Sequence, residues 1–208
     1  MRKLEVYYLA NKSENIYFAL LGDCTSSKNE NEIFDDEIIN TGLEETDKLN
    51  KKYNKNFEAD YPKFNFLYRK RTWNPSEKCY LGWERKRGLL CEFNEFLVDG
   101  INKFRINTIV NTVKDSFDRP EIKYVITLDS DTNLSLETGL QLVGSMAHIL
   151  NEPVLDESKN IVVQGYGIMQ PRIGTKLDSS RKSLFTKIYA GVRRNRFIYK
   201  CNIRYISR

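Results

Sequence analysis

Apolar positions recur along the chain in two periods, and their alternation predicts an α/β fold with a mainly parallel sheet. Leu4, Tyr7 and Tyr8 repeat at helical spacing with no capping residue ahead of them, so residues 1–10 read as the last part of an amphipathic helix. A compact apolar run at 16–21 closes on Gly22 and Asp23, as a strand entering a turn does. Beyond the polar stretch 25–32, Ile38, Ile39, Leu43 and Leu49 mark one face of a helix starting at Asp35, with acidic residues at the front where the macrodipole favours them. Further strands are predicted at 64–68, 124–128 and 161–163. Helices are expected around Phe93, Phe96 and Leu97, after Ser135 with Leu140, Leu142, Val143 and Met146 inward, and over 183–189.

Composition narrows the classes. A chain of 208 residues with 40% hydrophobic and 12% aromatic residues can bury one core. The net charge of +5 invites a nucleic-acid partner, but residues 192–208 hold six basic residues and no acidic one. The rest of the chain is near neutral, which argues against that partner. Cys24, Cys79, Cys91 and Cys201 form no C-x-x-C pair, and a single His148 completes no zinc site of ordinary spacing, so thiols in a reducing compartment are expected. No signal-peptide pattern opens the chain, and no apolar run approaches the ~20 residues that span a bilayer.

The stretch YVITLDSDT at 124–132 concentrates the chemistry. It ends a β-rich run in two carboxylates, Asp129 and Asp131, read as the C-terminal end of a buried parallel strand. Carboxylates spaced i, i+2 can face one hard cation, Mg²⁺ or Mn²⁺, that bridges to a diphosphate; the same short pattern also occurs as a solvated acidic turn. Asp23 is either a contact to a nucleotide base or ribose or part of an ordinary turn. Two basic clusters, Arg69-Lys70-Arg71 and Arg85-Lys86-Arg87, stand near Trp73 and Trp83. They can grip phosphate or sugar, or can be solvated charges beside core tryptophans. A haloacid-dehalogenase-type phosphatase also uses Asp-x-Asp after a strand. That pattern wants Thr or Val where Asn133 stands, and it lies in the first strand of its domain.

Taken together, LEVYYLANKSENIYFALLGD, RTWNPSEKCYLGWERKRG with EFN after it, YVITLDSDT, LVGSMAHILNEP and VVQGYGIMQPR resemble the glycosyltransferase module of cyclic β-1,2-glucan synthases, large bacterial inner-membrane enzymes. The resemblance implies a GT-A-type, Rossmann-like nucleotide-sugar transferase on the cytoplasmic side that uses UDP-glucose to build β-1,2-glucan. By position, Asp129 and Asp131 would hold the metal on the UDP diphosphate and Asp23 would lie near the uridine. Arg85, Lys86 and Arg87 would contact the donor. Cys24-Thr25-Ser26 and Leu89 depart from the family's usual residues, and neither touches the metal motif.

The resemblance covers residues 1–191 and stops at a basic tail, 192–208. Synonymous codons exist for 193–208 that, shifted by one base, read GGIDLYTNAISDIYQ, close to the family's continuation, so out-of-frame translation is expected there. The family also places a strand ahead of Met1, between the strands at 16–21 and 124–128. An incomplete domain is therefore expected, with self-association through the empty slot and no turnover by this chain alone. The catalytic base and the glucan acceptor site would belong to the absent half. The competing expectation is a non-catalytic remnant that binds a nucleotide sugar and metal.

Overall fold

A computed structural model describes residues 1–53, 61–110, 121–156, 158–159 and 161–171, together with the backbone of 202–205. The chain divides into two units, the first built on Met1–Lys123 and the second on Tyr124–Leu134 and Gly139–Tyr205.

The first unit holds α1 (Arg2–Ala10), β1 (Phe18–Gly22), α2 (Ile33–Tyr53), β2 (Phe64–Arg69), β3 (Thr72–Asn74), β4 (Cys79–Leu81), α3 (Arg85–Asp99) and β5 (Phe104–Asn107). Its main sheet has the order β1-β2-β5. β1 runs parallel to β2 in the register Phe18↔Phe64 to Gly22↔Tyr68, whereas β5 is antiparallel to β2. All six residues of β2 are buried, which makes this strand the centre of the unit. Asn50 holds the start of β2 through both of its amide groups, donating to the Phe64 carbonyl at 2.8 Å and accepting from its N–H at 2.9 Å. Tyr8, Phe18, Tyr53 and Phe64 pack ring against ring around that point.

α2 crosses the sheet at Gly42, where an added Cβ would lie 2.5 Å from the Phe66 ring; the missing side chain is what lets the helix approach. Its buried row is Asp35, Ile39, Gly42, Thr46 and Leu49. Ile38, expected inward, is 46% exposed, because small residues occupy the contact positions that hydropathy alone passes over.

The second unit holds β6 (Tyr124–Thr127), α4 (Thr138–Met146), β7 (Val154–Asp156), β8 (Ile161–Gln164), β9 (Ile168–Met169) and β10 (Asn202–Tyr205). Its core is Leu142 and Met146 of α4 against Tyr124, Ile126, Leu128, Leu134 and Met169. Leu140, expected inward, is exposed.

The sheet differs from expectation. The fold is mixed α/β, but among the described pairs only β1–β2 is parallel. Short hairpins account for part of the difference. β3 and β4 close through Asn74, whose Oδ1 accepts the Ser76 and Glu77 N–H groups, and Lys78 adopts a left-handed φ of 50°. β7–β8 is a second hairpin. β6 is half-buried rather than buried and pairs antiparallel with β10, which lies between β6 and β9. The strand pair expected to flank one slot is thus divided between sheets, with β1 at an edge among the described residues. The helix expected at 183–189 and most of the basic tail lie outside the described residues. Among the described residues no helix is long and apolar enough to cross a membrane.

Candidate functional site

β2 ends in Arg69, and its fully buried guanidinium ties three segments together. Nε and Nη2 each donate to Glu92 of α3 at 2.8 Å. Nη2 also donates to the Trp83 carbonyl at 2.6 Å, and Nη1 to the Arg85 carbonyl at 3.0 Å and to Asp23 Oδ1 at 3.5 Å. Burial opposes the charge, but the Glu92 and Asp23 carboxylates more than offset it and hold the proton firmly. Asp23 stands just past the C-terminal end of β1 with its side chain 30% exposed, and its Oδ1 also accepts the Cys24 N–H at 3.0 Å. Its other oxygen has no partner among the described residues.

The Trp83–Arg85 turn is conformationally demanding. Glu84 and Arg85 both take left-handed φ values, 45° and 46°, at the start of α3. A Cβ on Gly88 would sit 1.8 Å from the Trp83 carbonyl oxygen, and one on Gly82 would sit 2.6 Å from both Arg69 Nη1 and Asp23 Oδ1. The two glycines therefore admit the turn, and Arg69 holds it. Arg85, Lys86 and Arg87 are exposed on the first turn of α3, where the helix dipole also favours an anion. Arg87 pairs with Glu84 at 2.5 Å and lies 6.0 Å from the Trp83 ring.

Asp23 and Arg85–Arg87 are thus brought to one corner by a residue that sequence reasoning had placed elsewhere. Arg69 and Arg71 were expected as possible outward phosphate or sugar grips, yet both are buried in internal ion pairs. Arg71 forks onto Asp35, with Nη2 to Oδ1 at 2.9 Å, and donates to the Thr25 carbonyl at 2.7 Å. Tyr68 Oη completes that cluster on Asp35 at 2.7 Å. Burial alone would push the Asp35 carboxyl up; hydrogen bonds from Arg71, Tyr68 and the Glu32 N–H outweigh it and hold the group at about 2. The same neighbourhood, burial first and Asp35 second, pushes the Tyr68 phenol well above its usual range. This cluster pins the start of α2 to the strand end and is structural. Both tryptophans, by contrast, are out of the core, Trp73 at 52% and Trp83 at 47% exposure.

Asp129 and Asp131 belong to the second unit, in the turn after β6 that closes with the Thr132 N–H on the Asp129 carbonyl at 3.0 Å. Asp129 is half-buried and Asp131 exposed. No group of three or more metal-binding side chains occurs among the described residues. The hard oxygen donors of Asp129 and Asp131 would suit a cation such as Mg²⁺, with phosphate and water needed to complete its ligands.

No protein-family model matches the chain. Over 190 residues, 91% of its length, it is 37% identical to the cyclic beta-(1,2)-glucan synthase NdvB of Rhizobium meliloti (strain 1021). Nearly the whole chain is thus similar to part of a cyclic β-(1,2)-glucan synthase. It spans 6% of that relative's length, so the likeness concerns one segment of a much longer synthase. Asp23, the Arg69 corner and the Asp129–Asp131 turn are features of the segment related to the synthase.

Proposed function

We propose that the chain is the nucleotide-sugar-binding part of a glucan-synthesising glycosyltransferase with UDP-glucose as donor. The observation that carries this reading is the 37% identity to a glucan synthase across nine-tenths of the chain. The Asp23–Arg69 corner supports it, because an acceptor oxygen and the basic start of α3 lie together beyond the end of a parallel strand, where α/β sheets receive nucleotides. In this proposal the fold is of the GT-A type and works on the cytoplasmic side of a membrane. Asp23 receives the nucleoside, and Arg85, Lys86 and Arg87 neutralise phosphate. Asp129 and Asp131 hold Mg²⁺ or Mn²⁺, which when bound stabilises negative charge on the departing diphosphate. Turnover is proposed for the longer synthase and donor binding for this segment.

Calorimetric titration of the purified chain with UDP-glucose, with and without Mn²⁺, tests the reading. Expected is saturable, Mn²⁺-dependent binding that is lost in Asp129→Ala/Asp131→Ala and weakened in Asp23→Ala. A folded protein that takes up no UDP-glucose, or a double variant that binds like the wild type, counts against it.

A further inference from the structure

The hairpin β3–β4 carries a feature that neither the core nor the donor corner uses. The chain has two tryptophans, and both stand about half exposed within one short stretch, Trp73 on β3 and Trp83 just beyond β4. Exposing indole forgoes much of the stabilisation that burying so large a ring gives. Trp73 is paired directly across the hairpin with Tyr80, the ring centroids 5.1 Å apart at an interplanar angle of 63°. The backbone beneath these rings is pinned on both sides. Tyr80 exchanges hydrogen bonds with Ser27 at 2.7 and 2.8 Å while β3 pairs along the other edge. Asn74 closes the turn, and Arg69 clamps the Trp83 carbonyl. Gly82, the residue between β4 and Trp83, abuts Asp23 and Arg69. The backbone that carries these three rings is therefore pinned, and at Gly82 it adjoins the donor corner.

The chemistry of the patch selects its partner. Thr72 and Asn74 flank Trp73 on β3, Lys78 precedes β4 and Arg87 lies 6.0 Å from the Trp83 ring, so hydrogen-bonding groups accompany the stacking area. A pyranose has the matching form, with an apolar face and hydroxyls around its edge. The near-neutral body of the chain disfavours a nucleic acid, and a glucan is the product named for the homologous synthase. We propose that Trp73, Tyr80 and Trp83 form a stacking platform for a neutral β-1,2-linked glucan beside the Asp23–Arg69 corner, an acceptor-side contact within this chain. The assignment of the acceptor side rests on the glycosyltransferase reading, whereas glucan binding itself does not require the donor.

The test is calorimetric titration of the full chain with a linear β-1,2-linked glucohexaose in the absence of UDP-glucose and metal. Expected is saturable binding that Trp73→Thr, which keeps a β-former in β3, weakens about tenfold and Trp73→Phe largely preserves. Asp129→Ala/Asp131→Ala binds the glucohexaose like the wild type. On the unmodified protein, the oligosaccharide slows oxidation of the indoles by N-bromosuccinimide, a readout that needs no variant to fold. The proposal is overturned if the folded wild type gives no saturable binding, if Trp73→Thr binds as tightly, or if the indoles gain no protection. Glucan binding without UDP-glucose binding would remove the donor reading and leave the platform; the reverse would remove the platform alone.

Discussion

Lowering the pH should release the clamp between α2 and the end of β2, because Asp35 holds it as an anion. Its carboxyl stands at about 2 in the fold against an ordinary 3.8. Between those values the unfolded chain binds a proton that the folded chain does not, so folding weakens as pH falls through this window. Above it the contribution is fully present. At about 1.4 kcal/mol per pH unit, the depression amounts to roughly 2 kcal/mol. For a chain of this size that corresponds to a fall of about 4–8 °C in melting temperature. Asp35→Asn removes the charge at every pH and leaves Arg71 buried against a neutral amide, a loss of about 3–5 kcal/mol at neutral pH. Thermal melts followed by tryptophan fluorescence report on this unit alone, since Trp73 and Trp83 both lie in it. The stability gap between wild type and variant should narrow by about 2 kcal/mol from about pH 5 to about pH 2. A gap of constant size across that range would refute the idea that the Asp35 charge is what the fold uses.

Gly88→Ala should disrupt the start of α3, because its Cβ would meet the Trp83 carbonyl at 1.8 Å and backbone must move. A loss of about 2–4 kcal/mol is expected, with faster amide exchange over 84–88 than in β2; unchanged exchange there would count against the clash. β1 has a partner on one side among the described residues. Beside it lies a cleft of about 410 Å³ lined by Met1, Leu20, Ile38, Thr41, Gly42 and Phe66. Sedimentation of the wild type should therefore show concentration-dependent association that Leu20→Lys reduces, and a wild type monomeric at all concentrations would contradict it.

Much of the first unit was legible because its elements announce themselves by period. Leu4, Tyr7 and Tyr8 are the buried face of α1, and the strand expected at 64–68 is found at Phe64–Arg69. Phe93, Phe96 and Leu97 lie inward on α3. The hairpins were not legible, since three-residue strands such as Thr72–Asn74 carry too few positions to show alternation, and their charged neighbours suggested a binding loop instead. Strand direction was equally hidden. Periodicity places side chains on faces but does not say which neighbour a strand pairs with, so β6 was expected in a parallel sheet and is found against β10.

The site shows the same limit at the scale of single residues. In Arg69-Lys70-Arg71 composition sees three equivalent cations, but the outer two turn inward to carboxylates while Lys70 is exposed and meets Glu30. Their acidic partners, Asp23, Asp35 and Glu92, lie far off in sequence, so no local motif joins them. The clue was present in another form. Arg69 ends a largely apolar strand, and a buried guanidinium requires carboxylate. Gly82 and Gly88 bracket the turn that one of those buried arginines must reach. With Arg69 and Arg71 withdrawn from solvent, the positive charge near Asp23 that a donor can meet comes from the start of α3. Weakening of UDP-glucose binding by substitutions at Arg85–Arg87 is then a statement about charge, and at Arg69 a statement about position.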